Sequence, residues 1–102
     1  MDPDQLAEQI KAHIGKLDVA TGLLCLTDLK GGTPFNVLVR LSQTIDLEVL
    51  TGVNIPMLIE AAMTPAETGA NEMAQKLLAT GQASMYIYQK EETPAPAADE
   101  EF

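Results

Sequence analysis

A carboxylate and two glycines lie close together near residue 30, in an order that suits an anion-binding turn. An apolar run ends at Asp28, and Gly31 and Gly32 then lead into Thr33-Pro34. We predict a buried strand, a tight turn and a helix start here, with Thr33 as the N-cap and Pro34 as the first helical residue. Free backbone N–H groups and the positive end of the helix dipole would then face the carboxyl end of the strand, where a phosphate oxygen can bind.

The same residues also have a purely structural interpretation. Gly-Gly-Thr-Pro after a buried strand is ordinary turn and capping chemistry, and most strand-to-helix turns bind no ligand. The turn has neither the Gly-Lys-Ser/Thr ending of a Walker loop nor a G-x-G-x-x-G pattern. On the local pattern alone, an anion site and a plain turn both stay open.

Composition limits the kinds of partner. The 102 residues carry 6 Lys and Arg against 15 Asp and Glu, which gives a formal net charge of −9. This balance argues against nucleic acid or an anionic membrane surface as the partner. The length is that of one small domain with a single modest core.

The chain has one histidine, His13, and one cysteine, Cys25. One histidine and one cysteine cannot supply the repeated spacing of a metal-ligand motif, and a single cysteine cannot form an internal disulfide. We therefore predict no metal and no cofactor. Cys25 lies in an apolar run, which is typical of a small buried side chain, and His13 lies on a helix flank, which is typical of a surface residue. Because the sequence shows neither a signal peptide nor an apolar run of membrane-spanning length, we predict a cytoplasmic location.

Helix caps and apolar periodicity predict the elements that position the glycine turn. Asp2-Pro3-Asp4-Gln5 begins a helix with a capping box, and Gly15 suits its end. We predict a central strand over residues 22–27, a helix from Pro34 to about Gln43, and a second strand over 48–51. Two successive strand–turn–helix units imply parallel strands, whose exits open on the same edge of the sheet.

The second half of the chain predicts two more helices and a late strand. Pro56 opens a short helix with Ile55, Leu58, Ile59 and Ala62 facing inward. A second capping box over residues 64–67 starts a longer helix that ends near Gly81. Alternation over 85–88 predicts an edge strand, and the Ala-, Pro- and acid-rich residues 91–102 predict a disordered tail or a linker stub. Two parallel strands and this one late strand make a thin sheet for four helices, since parallel strands are normally central in larger sheets.

Two motifs carry a resemblance to a known family. The stretches LTDLKGGTPFN (26–36) and TGVNIPML (51–58) resemble the enzyme IIA component of the mannose-family sugar phosphotransferase system. The family patterns are Asp-x-x-Gly-Gly-Ser/Thr-Pro-x-Asn and Gly-x-Asn-x-Pro-Met. The resemblance covers about residues 3–85, and the acidic Ala-Pro tail is similar to the linker that joins IIA to a IIB domain in some members.

The resemblance implies an α/β fold, mainly a parallel sheet with helices on both faces, in a protein that is usually a homodimer. Such domains take a phosphoryl group from the phosphocarrier HPr onto a histidine and pass it to IIB, with the membrane reached only through the IIC/IID permease. Asp28 matches the catalytic aspartate that orients this histidine, and Gly31, Gly32 and Thr33 match the phosphoryl-binding positions. The wall of the site would be formed by Lys30, Asn36, Asn54 and Pro56, although turn chemistry is the plainer interpretation of the last two.

The sequence departs from the family pattern at the acceptor histidine. That residue lies just after the first strand in a Ser/Thr-His-Gly pattern, which the expected alignment places before residue 1 together with the first helix and the second strand. His13 lacks this context. We therefore expect an incomplete IIA-like domain over residues 1–90, inactive alone. The alternatives are a non-catalytic binding or regulatory module that keeps the scaffold and, more weakly, an unrelated enzyme with Asp28 as general base.

Overall fold

Four helices and two strands alternate along the chain in the computed structural model, which describes residues 2–90. The predicted tail, 91–102, lies outside the described residues. The elements in order are α1 (Pro3–Ile14), β1 (Leu24–Leu26), α2 (Thr33–Leu41), β2 (Glu48–Leu50), α3 (Ile55–Met63) and α4 (Ala70–Ala83).

The two strands pair in parallel, with Leu24 beside Glu48 and Leu26 beside Leu50. The ladder continues one residue further, where the Thr27 amide donates to the Leu50 carbonyl at 3.0 Å. Parallel strands end at the same edge of a sheet, so the turns that follow β1 and β2 lie side by side. The prediction of a shared exit edge is confirmed.

Helices cover both faces of this sheet. Because strand side chains alternate between faces, Cys25 and Val49 pack against α1 and α2, whereas Leu24, Leu26 and Leu50 pack against α3 and α4. The predicted α/β class, a parallel sheet with helices on both faces, is confirmed. The buried centres of the two layers are Ala7, Val37, Leu41 and Leu47 on one side and Leu50, Met57 and Leu77 on the other.

The start of α1 follows the predicted capping box. The Gln5 amide donates to Asp2 Oδ1 at 2.8 Å, and the Asp2 amide donates to Gln5 Oε1 at 3.1 Å. These bonds satisfy backbone donors that have no partner within the helix. Gly15 is the C-terminal cap, as predicted.

The start of α2 differs from the prediction by one residue. Gly32, not Thr33, is the N-cap: its backbone is extended, with φ −74° and ψ 171°, and its carbonyl accepts the Asn36 amide at 2.9 Å. Thr33 is therefore the first helical residue and Pro34 the second. Glycine is nearly as good an N-cap as threonine, so the helix gains a residue at little cost.

The inward face predicted for α3 is wrong. Met57 is buried and Ala61 is partly buried against α4, so the helix presents the opposite face to the core. The segment IPMLIEAAM is apolar nearly all round, and its periodicity does not determine which side turns inward. The residues predicted inward, Ile55, Leu58, Ile59 and Ala62, are exposed.

The second capping box is also absent. Thr64 ends α3, and its hydroxyl donates backward to the Glu60 carbonyl at 2.7 Å, so it is not free to cap a following helix. α4 begins five residues after Pro65, at Ala70, whose amide donates to the Thr21 carbonyl at 3.0 Å. A tertiary contact with the loop before β1 therefore fixes this start.

The late strand predicted at 85–88 does not form within the described residues. Tyr86 and Ile87 are each 81% exposed, and the sheet of residues 2–90 consists of β1 and β2. An alternating segment becomes a strand only when a ladder partner accepts it. Neither β1 nor β2 pairs with it here.

Candidate functional site

The two strand exits are joined by three hydrogen bonds around Thr27. Its amide donates to the Leu50 carbonyl at 3.0 Å, and its own carbonyl accepts the Val53 amide at 3.2 Å. Its hydroxyl donates to Thr51 Oγ1 at 2.8 Å. The turn that follows β1 and the turn that follows β2, which carry the two motifs, are therefore held at one edge of the sheet.

Asp28 lies at this edge, directly after the hydrogen-bonded Thr27. It is exposed, and no ion pair or side-chain hydrogen bond among residues 2–90 involves its carboxylate. The backbone is thus held at the preceding residue, Thr27, while the Asp28 oxygens stay open to an outside donor. Such a carboxylate can accept a hydrogen bond from an imidazole N–H and set the orientation of the ring.

The glycine turn has a backbone conformation that requires its first glycine. Gly31 has φ +84°, in the left-handed region, and a Cβ at this position would meet no atom within 4 Å. The constraint is therefore conformational and not steric. The Gly32 amide closes the turn onto the Leu29 carbonyl at 3.1 Å, and Asn36 Nδ2 donates to the Gly31 carbonyl at 3.0 Å. Asn36 thus holds the turn from the first turn of α2.

Backbone donors remain unused at the start of α2. Among the hydrogen bonds of residues 2–90, none uses the N–H of Gly31, Thr33 or Phe35. Pro34 has no N–H to offer. Unpaired donors at a helix N-terminus suit the oxygens of a phosphoryl group.

The remaining predicted residues of this turn are exposed. Lys30 lies between Asp28 and the glycines, where its ammonium could offset the charge of an incoming phosphoryl group. Thr33 and Asn36 line an open groove of about 220 Å³ that runs toward the N-terminus of α1. Arg40, which also lines the groove, forms a surface ion pair with Asp4 at 3.3 Å.

Asn54 is occupied by helix capping. Its Oδ1 accepts the Met57 amide at 3.2 Å, and its Nδ2 donates to the Gly81 carbonyl and to Ser84 Oγ, both at 3.3 Å. It therefore caps α3 and joins it to the end of α4. Pro56 is the second residue of α3, where a missing N–H costs nothing. These contacts support the turn-chemistry interpretation, and a wall role for the two residues stays a prediction.

The two threonines at the strand exits were not singled out from the sequence. Thr27 and Thr51 each lie one position beyond the paired part of a strand, and a parallel register places such residues next to each other. Matching polar residues at the ends of two predicted neighbouring strands were the available signal. Asn36 was identified, but its hold on the Gly31 carbonyl depends on the shape of the turn.

His13 lies in α1, and Cys25 lies in β1 on the face that packs against α1 and α2. His13 is exposed in the last turn of α1. Cys25 is half-buried between β1 and the α1–α2 layer, and burial raises the pKa of its thiol. A thiol held protonated by burial is a poor nucleophile, in keeping with a packing role.

Comparisons with known proteins agree with the fold and the motifs. A family model described as the PTS system fructose IIA component (EIIA-man) matches residues 1–78. The mannose-specific EIIAB components of Escherichia coli K12 and Shigella flexneri are each 35% identical over 101 residues, covering 93% of this chain and 31% of the relative. The mannose/sorbose-specific IIA subunit of Enterococcus faecalis is 34% identical with a TM-score of 0.73, over 86% of this chain and 66% of that one.

A parallel sheet between two helical layers, with both motifs at the carboxyl edge, places the chain among the IIA components of sugar phosphotransferase systems. Within that class, the chain belongs to the mannose family. It spans about a third of the length of the curated relatives that it matches. None of the helices described in residues 2–90 is long and apolar enough to cross a membrane.

Proposed function

We propose that this chain works as a IIA-type phosphocarrier in which Asp28 orients the histidine that takes the phosphoryl group from HPr and passes it to IIB. The Asp28 carboxylate would accept a hydrogen bond from one imidazole nitrogen, which leaves the other nitrogen as the nucleophile. The observation that carries the proposal is the exposed, unpaired carboxylate at the edge where both motifs meet. Family membership supplies the reaction class.

The turn after Asp28 supports a phosphoryl-binding role for the predicted glycines and threonine. Gly31 and Thr33 would donate their free N–H groups, and Gly32 would act as the N-cap that begins the helix behind them. Developing charge on phosphoryl oxygens is stabilised by donors that are already aimed at it. Lys30 would add a positive charge on the solvent side.

We further propose that the acceptor histidine lies outside these 102 residues. The only histidine here is His13, in the sequence Ala-His-Ile, and no Ser/Thr-His-Gly pattern occurs. Residues 1–90 would then form the IIA-like domain that receives this histidine, with 91–102 as a linker. On this view the 102-residue chain alone is not phosphorylated.

The test is phosphoryl transfer followed by mass spectrometry. The chain is incubated with phosphoenolpyruvate, enzyme I and HPr, alone and with a strand–Ser/Thr-His-Gly–helix–strand segment fused ahead of Met1. We expect an acid-labile phosphohistidine in the fused form, at the added histidine, and none in the chain alone. In the fused form, Asp28→Asn should slow the transfer by about 100-fold, because the neutral amide can turn its NH2 group toward the imidazole and no longer holds one tautomer in one orientation.

The matched control is Asp46→Asn, which removes an exposed carboxylate before β2, at the opposite end of that strand. It should transfer at the rate of the fused parent. Labelling at His13 in the unmodified chain would refute the assignment of the acceptor. A folded fused form that takes no label would refute the phosphocarrier role and favour the non-catalytic binding or regulatory module.

We also propose HPr and IIB-type proteins as partners, a homodimer or larger oligomer as the working assembly, and the cytoplasm as the location, with the membrane reached through the IIC/IID permease. Family membership supports the partners. Exposed apolar side chains support association: Ile55 is 67% exposed, Met63 78% and Ile87 81%. A monomer at micromolar concentration in analytical ultracentrifugation would contradict the oligomer.

A further inference from the structure

Thr27 and Thr51 form a part-buried link between the two strand exits. The Thr27 hydroxyl donates to Thr51 Oγ1 at 2.8 Å. Thr27 is 7% exposed, and Thr51 is half-buried. A hydroxyl in such a place keeps its partner, because a buried polar group without one is costly. Each hydroxyl therefore restricts the position of the other.

The backbone of Thr27 is held as firmly as its side chain. Its N–H and C=O are bonded to Leu50 and Val53, on either side of Thr51 in the neighbouring strand and turn. Asp28 is the next residue along the chain, and no side-chain hydrogen bond or ion pair among residues 2–90 involves its carboxylate. The backbone that leads into Asp28 is thus held from behind, by the attachment of Thr27 to the β2 exit.

We propose that Thr51 is a positioning residue for Asp28, acting through the Thr27 hydroxyl. This inference rests on the proposed function, in which the orientation of Asp28 governs transfer. When either hydroxyl is removed, this side-chain link between the two strand exits is lost, and the backbone that leads into Asp28 can shift against the β2 exit. A displacement of about 1 Å near a reacting group slows a reaction by about 100-fold.

Three variants separate positioning from stability. Thr51→Val keeps the shape and removes the hydroxyl, Thr51→Ser keeps a hydroxyl, and the double variant Thr27→Val/Thr51→Val leaves no unpaired buried hydroxyl. Removing both partners of a buried hydrogen bond is often close to neutral for stability, whereas removing one is not. We therefore expect a lower urea midpoint for Thr51→Val alone and a midpoint near that of the parent for the other two.

The first readout needs no phosphotransferase partner. The ¹³Cα and ¹³Cβ shifts of Asp28, which report its backbone angles, are measured by NMR in the 102-residue chain. They should move in Thr51→Val and in the double variant and stay at their parental values in Thr51→Ser. Unchanged Asp28 shifts in Thr51→Val would overturn the inference, whatever the activity of the protein.

The second readout is transfer in the histidine-bearing fused form. Thr51→Val should slow transfer by about 10- to 100-fold, Thr51→Ser should not, and the double variant should stay slow although its midpoint recovers. Recovery of both rate and midpoint in the double variant would show that the hydroxyls only stabilise the fold, and would overturn the positioning role. If the fused parent does not transfer at all, the proposed function fails, and the NMR shifts alone decide whether Thr51 sets the place of Asp28.

Discussion

The contact between Gly81 and Met57 predicts that Gly81→Ala destabilises the parent chain but stabilises a variant that lacks the Met57 side chain. Gly81 is a buried residue of α4, and a Cβ there would lie 2.7 Å from Met57 Cγ and still closer to its sulfur. Met57 is 3% exposed, so it has little room to move aside. Met57 of α3 therefore packs directly against the backbone of α4 at this point.

The expected magnitude follows from two opposing terms. Alanine is favoured over glycine inside a helix by about 1 kcal/mol. Overpacking a buried contact costs about 1–3 kcal/mol. Gly81→Ala should therefore lower the free energy of unfolding by about 1 kcal/mol. In a Met57→Ala background, which itself costs about 2–5 kcal/mol, the overpacking vanishes and the same Gly81→Ala change should stabilise by about 1 kcal/mol.

Urea unfolding followed by circular dichroism measures both differences, and the double-mutant cycle isolates a coupling of about 2 kcal/mol between the two sites. Gly15→Ala is the matched control. Gly15 also has a negative φ, and a Cβ there would meet the Ala12 carbonyl oxygen at an ordinary 3.6 Å. A stabilising Gly81→Ala in the parent chain would refute the close packing of α3 on α4.

Two further predictions concern other parts of the fold. Gly22 and Gly52 both have positive φ, so replacing either with alanine strains the backbone. A Cβ at Gly22 would also press on Ala70 Cβ at 2.8 Å, whereas one at Gly52 would meet no atom within 4 Å, so Gly22→Ala should destabilise by about 1–3 kcal/mol more than Gly52→Ala. Equal urea midpoints for the two variants would contradict this. Burial raises the pKa of the Cys25 thiol in the folded chain above its ordinary 9.0. As pH rises, the unfolded chain therefore ionises this thiol before the folded chain does. The contribution of the buried thiol to the free energy of unfolding then declines as pH rises above 9.0. Between pH 8 and 10, the free energy of unfolding of the parent should then fall more than that of Cys25→Ala. Parallel profiles of unfolding free energy against pH would refute this prediction.

The strand–turn–helix around Asp28 could be predicted because its signals are local. An apolar run, two glycines and a Thr-Pro pair each restrict a few backbone angles, and they agree with one another. The one-residue shift of the α2 N-cap to Gly32 is within what such signals resolve. The parallel pairing followed from topology, which brought both motifs to one edge.

The errors occur where the outcome depends on distant residues. Thr64 has the sequence of a cap, but its hydroxyl bonds back to Glu60, and the Thr21 carbonyl helps to determine where α4 begins. On the side of α3 that turns inward, Met57 packs against Gly81, whose missing side chain makes room for it. Periodicity within a single helix contains no information about such a partner.

Under the proposed function, the edges of β1 restrict where the acceptor histidine can approach Asp28. On one side β1 pairs with β2, and beyond the strand ends that side is filled by the Thr27–Thr51 link and the Val53 amide. Within residues 2–90 no strand pairs with the other edge of β1. In the proposed phosphocarrier, a strand added in parallel there would end at the same edge of the sheet. A histidine directly after it would approach Asp28 from the side that β2 leaves open. The same bonds that hold Asp28 from the β2 side thus leave its carboxylate free for a partner on the opposite side.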